Sequence, residues 1–275
     1  MDKIGTPEKV FEDSVRLGLS GVLIKAWDGY LAGRFLEQLH SIVKPVHDFG
    51  LIAGAWGYSY GNNISGEVQV MKQALDAGAD WLVIDAEAEY ENPQGPEKAI
   101  ALGEALKQTL EQDVPLGYTT FAIPSYHPRF PYREFSSFCS VCLPQIYWEM
   151  MGMPLDRAFN LSITGLSAYG LPIAPVRQSF GPVTPADISA FASASKIRNL
   201  EGISYFSWQD ASAPQLEAIA LVPYGRFQEV SPWARLGWYM ATKRAIMDGT
   251  DPKGAVTREM LATVLERLGL LRAKA

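Results

Sequence analysis

Cysteine and histidine are scarce in this chain of 275 residues, which has two cysteines and three histidines. The cysteines form a single C-x-x-C, Cys139 and Cys142, without the second pair or the histidine cluster that a structural zinc site needs. They precede the strand-like segment VCLPQIYW, whereas a thioredoxin-like motif would lie at a helix N-terminus. We therefore expect buried, inert thiols and no disulfide framework.

Glycine-rich phosphate loops and long apolar runs are also missing. No apolar run approaches the ~20 residues that cross a bilayer, and the N-terminus lacks the apolar region of a secretory signal. We expect no membrane partner and no cofactor.

Basic charge is scarce in the first four fifths of the chain. Residues 1–226 carry 16 Lys and Arg against 25 Asp and Glu, whereas residues 227–275 carry 8 against 5. An acidic body argues against nucleic acid as a partner, because phosphate contacts need a basic surface. The basic tail needs a separate explanation.

Helical stretches and short apolar strands alternate from residue 7 to residue 223. Seven segments read as strands: 21–29, 51–61, 80–90, 115–121, 141–148, 171–181 and 202–211. This pattern predicts an α/β fold of the (β/α)₈ type, a TIM-like barrel that is incomplete or irregular at its N-terminus. A doubly wound open sheet is the alternative. We expect a barrel over 1–223 and a small helical module over 227–275, with helices near 232–247 and 257–269.

Polar and aromatic side chains gather at the C-terminal ends of these strands, where barrels of this type carry their active sites. Tryptophan and tyrosine stack on the C–H faces of sugar rings, while amides and carboxylates bind hydroxyl groups. The alternative is that a strand end is simply where apolar sequence stops. We predict substrate-binding roles for Trp27, Asp28, Trp56, Tyr58, Glu89, Tyr118, Gln145, Tyr147, Trp208 and Gln209.

The segment LVIDAEAE (82–89) is the most informative of these strand ends. Alternation along a strand places Asp85, Glu87 and Glu89 on one side. Crowded carboxylates raise the pKa of at least one of them, which gives the protonated acid and ionised partner of glycoside hydrolysis. A metal site and a solvated strand end are the weaker alternatives, and we assign no metal.

The order of these pieces resembles the family 25 glycoside hydrolases, the muramidases of bacteria and their phages. The resemblance rests on segments that are similar to strands of that family in the same order: VLIKAWDG, LIAGAWGYSYG, LVIDAEAE, PLGYTTF, CLPQIYW and FSWQDA. The resemblance implies that Glu87 is the general acid, Asp85 its partner carboxylate, and that Asp28 lies near the substrate. The family's first strand carries a further aspartate, for which Asp2 would stand here.

The tail resembles an S-layer homology module, through FQEVSPWA, AIMDG and VTREMLATVLERLG. The resemblance implies that Trp233, Thr257, Arg258 and Glu259 bind an anionic cell-wall polymer, which would explain the basic charge. Such modules pack in threes, so one copy per chain implies a homotrimer or packing on its own barrel. A plain helical hairpin that caps the barrel is the alternative.

Together these features predict a lysozyme-like glycosidase that hydrolyses the peptidoglycan of bacterial cell walls, with the layout of a phage endolysin. We expect it to reach the wall through phage-encoded release or unconventional export, and otherwise to be cytoplasmic. A second hypothesis belongs to another class: a non-catalytic carbohydrate-binding or structural protein, of a virion or a cell surface, on a glycosidase-like barrel. The D-x-E of Asp85 and Glu87 favours the enzyme, and the short first strand favours the alternative.

Overall fold

The computed structural model describes residues 7–110, 114–224 and 229–271. Its sheet has seven parallel strands in sequential order. Their bounds are β1 Gly21–Asp28, β2 Ile52–Ser59, β3 Trp81–Ala86, β4 Leu116–Phe121, β5 Val141–Gln145, β6 Val176–Gln178 and β7 Ser204–Phe206. The sheet curls into an incomplete TIM-like barrel, which confirms the predicted fold class. The irregular first strand expected near Asp2 lies outside the described residues.

Helices join successive strands and cover the outside of the sheet. Their bounds are α1 Pro7–Leu17, α2 Gly33–Asp48, α3 Ile64–Asp76, α4 Gly95–Thr109, α5 Tyr132–Ser136, α6 Leu155–Ser167, α7 Pro185–Ile197, α8 Ala213–Ala220, α9 Arg235–Lys243 and α10 Arg258–Arg267. No helix among the described residues is long and apolar enough to cross a bilayer.

The two faces of the sheet form separate apolar clusters. Val83, Leu143 and Val176 meet inside the barrel, together with Trp56 and Tyr147. The opposite face packs against the helices in the larger clusters. Since side chains alternate between the faces, the position of a residue in its strand decides whether it can reach a ligand in the barrel.

A bulge in β1 changes this alternation between Lys25 and Trp27. Lys25 pairs with Trp56 on β2 and shares its interior face, whereas Trp27 pairs with Gly57. Trp27 is fully buried in the cluster on the helix side. Gly57 leaves the space that the indole ring occupies.

The first helix of the tail packs on the barrel. Arg235 is buried, and its guanidinium donates to the carbonyl oxygens of Arg16 (3.3 Å) and Ala220 (2.8 Å), at the ends of α1 and α8. The Tyr239 hydroxyl donates to the carbonyl of Asp48 at the end of α2. The second helix, α10, has no buried residue. Whether the tail is a module of its own stays a prediction.

Candidate active site

The predicted carboxylates lie where β3 ends. Asp85 is the last interior-facing residue of the strand, and Glu87 follows Ala86 at φ −136° and ψ −130°, where the chain leaves the strand conformation. A 3₁₀ turn then begins, so Glu89 lies on this turn and not on the strand that alternation predicted. The turn still directs Glu89 toward the same region, where it accepts a hydrogen bond from Tyr58.

Asp85 and Glu87 form a direct pair. Their carboxyl groups are within hydrogen-bonding reach of each other, and the amide nitrogen of Gln145 on β5 donates to Asp85 Oδ1 (3.3 Å) and Glu87 Oε1 (2.9 Å). Burial, and then the charge of Glu87, raise the pKa of Asp85 to about 8. At neutral pH the carboxyl group of Asp85 therefore keeps its proton inside the barrel.

A second polar network lies beside the pair. Tyr58 donates to Glu89, and burial together with this bond raises the pKa of Tyr58, so its hydroxyl stays protonated. Asp28 accepts from the Tyr60 hydroxyl (3.0 Å) and from Lys25 Nζ (3.1 Å). The Lys25 charge opposes the rise in the pKa of Asp85.

Aromatic rings line the interior around these groups. Trp56 contacts Phe206 on β7, with ring centroids 5.8 Å apart, and the Lys25 ammonium group lies 5.4 Å from its ring. Tyr147 packs in the same interior cluster, and burial, followed by the charges of Asp85 and Glu87, raises the pKa of its hydroxyl. These rings and carboxyl groups together make a site that can hold a sugar.

Two residues predicted to bind substrate lie outside this site. Trp27 is turned to the helix side by the bulge in β1. Tyr118 pairs with Ile84 and Cys142 on that same side, is almost fully buried, and stacks on Phe135. The prediction was wrong for both residues. It used the residue type and the position near a strand end, but did not determine which face of the sheet the side chain occupies.

Trp208 and Gln209 lie on a 3₁₀ turn, Trp208–Asp210, directly after β7. Trp208 is half-buried and Gln209 is exposed. Their place at the C-terminal end of a strand agrees with the expected rim, but among the described residues neither side chain contacts the carboxylate pair through a hydrogen bond.

Tyr60 and Phe206 were missed by the sequence prediction. Tyr60 follows Tyr58 by two residues, so the alternation of GYSYG carried the signal. Phe206 lies just before the Trp-Gln pair that was chosen, and it is 39% exposed, which leaves its ring available to a ligand. Both residues contact members of the site.

The residues predicted to bind a wall polymer lie on the tail. Trp233 is 85% exposed on the turn Pro232–Ala234, before α9. Thr257 caps α10, where its hydroxyl accepts from the amide of Met260 at 3.1 Å, and Arg258 and Glu259 begin that helix. Capping alone accounts for Thr257.

Two further expectations concern metals and thiols. Within the described part of the chain, no group of three or more His, Cys, Asp or Glu side chains is arranged to hold a metal ion. Cys139 and Cys142 are buried and unpaired, as expected. Burial raises the pKa of both thiols, so they stay protonated and unreactive.

In sequence comparisons, no family model and no curated protein matches the chain. Solved structures of glycoside hydrolases are similar in fold. The spore cortex-lytic enzyme SleL of Bacillus cereus has a TM-score of 0.63 and 10% identity over 82% of this chain and 72% of that chain. A chitinase from Bacteroides thetaiotaomicron has a TM-score of 0.62 and 10% identity, over 78% of this chain and 90% of that one.

A glycoside hydrolase family 18 N-acetylglucosaminidase from Paenibacillus barengoltzii is also similar, with a TM-score of 0.56 and 12% identity over 76% of this chain and 94% of that one. At such identities the likeness shows the fold alone, a TIM-barrel-like glycoside hydrolase fold. The resemblances to family 25 muramidases and to S-layer homology modules stay predictions.

Proposed function

We propose that the protein is a glycoside hydrolase that cleaves an N-acetylated glycan strand of the bacterial cell wall. The observation that carries the proposal is the contact of Asp85, Glu87 and Gln145 inside the barrel. Two carboxyl groups that share a proton can protonate a leaving oxygen and hold the remaining charge. The fold shared with chitinases and a cortex-lytic enzyme supports the same class.

Glu87 is the general acid in this proposal. It lies directly after the last residue of β3 and two residues closer to the mouth of the barrel than Asp85. The pair enters the reaction with one proton, which Glu87 delivers to the glycosidic oxygen. Asp85 exchanges that proton with Glu87, and the amide of Gln145 holds both carboxyl groups in place.

The closeness of the two carboxyl groups favours a 2-acetamido sugar. A carboxylate nucleophile lies about 5–5.5 Å from the acid in retaining enzymes, and a carboxylate base about 6.5–9.5 Å from it in inverting ones. Asp85 and Glu87 are closer than either spacing, since they are within hydrogen-bonding reach. The attacking group would then be the acetamido oxygen of the substrate itself, which bonds to the anomeric carbon as the glycosidic oxygen leaves with the proton from Glu87. Water would next attack the anomeric carbon from the side that the leaving group vacated, give its proton to Glu87 and release the acetamido oxygen, so the product would retain its configuration.

Tyr147 and Trp56 would bind the sugar at the reacting position. The raised pKa of Tyr147 keeps its hydroxyl protonated, so it can donate a hydrogen bond to the acetamido oxygen as that oxygen turns toward the anomeric carbon. Trp56 offers an aromatic face on the interior side of β2. Tyr58, Glu89 and Asp28 would bind hydroxyl groups of the same or the next sugar.

We further propose that the substrate is peptidoglycan and that the tail binds the cell wall. Trp233, Arg258 and Glu259 would contact an anionic wall polymer, and the excess of basic residues over 227–275 supports this partner. Association into trimers through the tail belongs to the same proposal.

The test measures new reducing ends released from purified Gram-positive cell walls and from chitin. Wild-type protein is compared with Glu87→Gln and with Glu91→Gln, a matched control whose carboxylate pairs with His127. We expect release by wild type and Glu91→Gln and at least about a hundredfold loss in Glu87→Gln. Borohydride reduction of the products would then identify the sugar whose bond is cleaved.

Two outcomes would overturn the proposal. If no variant releases reducing ends while all of them sediment with the walls, the protein is a carbohydrate-binding protein and not an enzyme. If Glu87→Gln retains full activity, the acid lies elsewhere in the barrel.

A further inference from the structure

Arg177 on β6 is a fully buried cation (0% exposed) outside the catalytic interior. Its neighbour Val176 faces the interior, so alternation places the Arg177 side chain among the helices. There the guanidinium carbon lies 3.7 Å from the ring centroid of Trp148, and Nη2 donates to Glu149 Oε1. Both partners lie in the segment that follows β5.

This arrangement is costly for stability. Arg177 Nε and Nη1 have no hydrogen-bond partner among the described residues, and neither has Glu149 Oε2. Only the Arg177 side of this ion pair is fully buried, since the Glu149 side chain is partly exposed. A buried guanidinium with unsatisfied donors generally contributes less to folding than an apolar side chain of similar size. Stability alone therefore does not account for this ion pair, which also holds a segment of the chain in place.

The segment held by Arg177 carries Tyr147. Ile146 and Trp148 are buried in the cluster on the helix side, whereas Tyr147 faces the barrel interior. Because Tyr147 and Trp148 are consecutive and face opposite sides, holding Trp148 outward restrains Tyr147 inward. The segment then closes on itself, since the amides of Met150 (3.0 Å) and Met151 (3.2 Å) donate to the Tyr147 carbonyl oxygen.

We propose that Arg177 is a positioning residue for the hydrolysis reaction: through Trp148 and Glu149 it holds Tyr147 beside the carboxylate pair. The proposal rests on the proposed function, because it concerns the same site. It assigns Arg177 no contact with the substrate. Its consequence is that losing Arg177 reduces turnover even where the fold is as stable as before.

The first test separates positioning from stability by a double-mutant cycle. Arg177→Met alone leaves the Glu149 charge without its partner and lowers stability, whereas Arg177→Met with Glu149→Gln removes both charges. Kinetics are measured with 4-nitrophenyl β-N,N′-diacetylchitobioside. We expect the double variant to recover most of the wild-type melting temperature but to keep a kcat at least about tenfold below wild type.

A matched control is Arg198→Met with Asp156→Asn. Arg198 also lies over an aromatic ring, that of Phe159 at 5.1 Å, and pairs with Asp156, but this pair lies on the surface of α6 and α7. We expect its kcat to equal that of wild type. If the Arg177 and Glu149 double variant regains wild-type kcat together with stability, Arg177 is only structural and the proposal fails.

A second test needs no turnover, so it stands even if the proposed function is wrong. Amide hydrogen exchange is measured at Met150, Met151, Gly152 and Met153, whose amides all donate within the segment. We expect at least about tenfold faster exchange there in the double variant, with unchanged exchange in β3 and β4. Unchanged exchange in the segment would show that Arg177 does not hold it, and would overturn the proposal.

Discussion

The indole ring of Trp27 lies over Gly57 on the neighbouring strand so closely that a Cβ at residue 57 would come within 2.4 Å of the ring. Gly57→Ala must therefore displace a fully buried tryptophan in β1 or shift the strand. We expect a loss of about 1–3 kcal/mol in the free energy of unfolding, measured by urea denaturation. Gly202→Ala is the matched control, because nothing lies within 4 Å of its added Cβ and no loss is expected.

The same contact explains why part of the site could not be predicted. Seven apolar strands and the carboxylates of LVIDAEAE are visible in the sequence, because burial and alternation are local properties. The bulge between Lys25 and Trp27 depends on the pairing of β1 with β2, so no local pattern marks it. Residue type alone therefore placed Trp27 in the site.

Tyr118 shows a second limit. Both faces of LGYTTF are buried, so its composition does not tell the interior from the helix side. The pairing of Tyr118 with Ile84 settles the question, and this pairing is known only from the assembled sheet. Asp85 and Gln145, by contrast, lie at the polar ends of apolar runs, which is why the sequence identified them.

The raised pKa of Asp85 makes stability depend on pH. Because the folded pKa (about 8) exceeds the unfolded one (near 3.8), the folded state binds the proton more tightly between these values. The stabilisation from this proton is complete below about pH 4 and is lost as pH rises through about 8. Asp85→Asn cannot ionise at this position. We therefore expect its free energy of unfolding to fall less than that of wild type between about pH 5 and about pH 9, with a difference of more than about 1 kcal/mol.

Urea denaturation of both proteins at the two pH values measures this difference. Asp85→Asn keeps the shape of the side chain, so other titrating groups cancel in the comparison. A parallel loss of stability in both proteins would show that Asp85 does not hold the proton in the folded state.

The two faces of the sheet predict opposite behaviour for two tryptophans of adjacent strands. Trp56 lies in the interior beside Phe206, whereas Trp27 is buried against the helices. We expect Trp56→Phe to abolish most of the change in tryptophan fluorescence on adding a chito-oligosaccharide and to weaken binding about tenfold, because stacking area is lost. Trp27→Phe should keep both the signal and the affinity, and the reverse pattern would place the sugar elsewhere.

The two helices of the tail differ in their contacts with the barrel. We expect the helix that contains Arg235 to stabilise the barrel and α10 not to do so. The buried guanidinium of Arg235 binds the carbonyl oxygens of Arg16 and Ala220, and hydrogen bonds from a charged group contribute about 1.5–3 kcal/mol. Arg235→Met should lower the free energy of unfolding by a similar amount. Ending the chain after Gly254 removes α10, which has no buried residue, and should change this free energy by less than about 0.5 kcal/mol. Thermal melts of the two variants measure these losses of stability. Equal losses would mean that α10 packs on the barrel. A loss in Arg235→Met alone would show that the part of the tail that stabilises the barrel ends between α9 and α10.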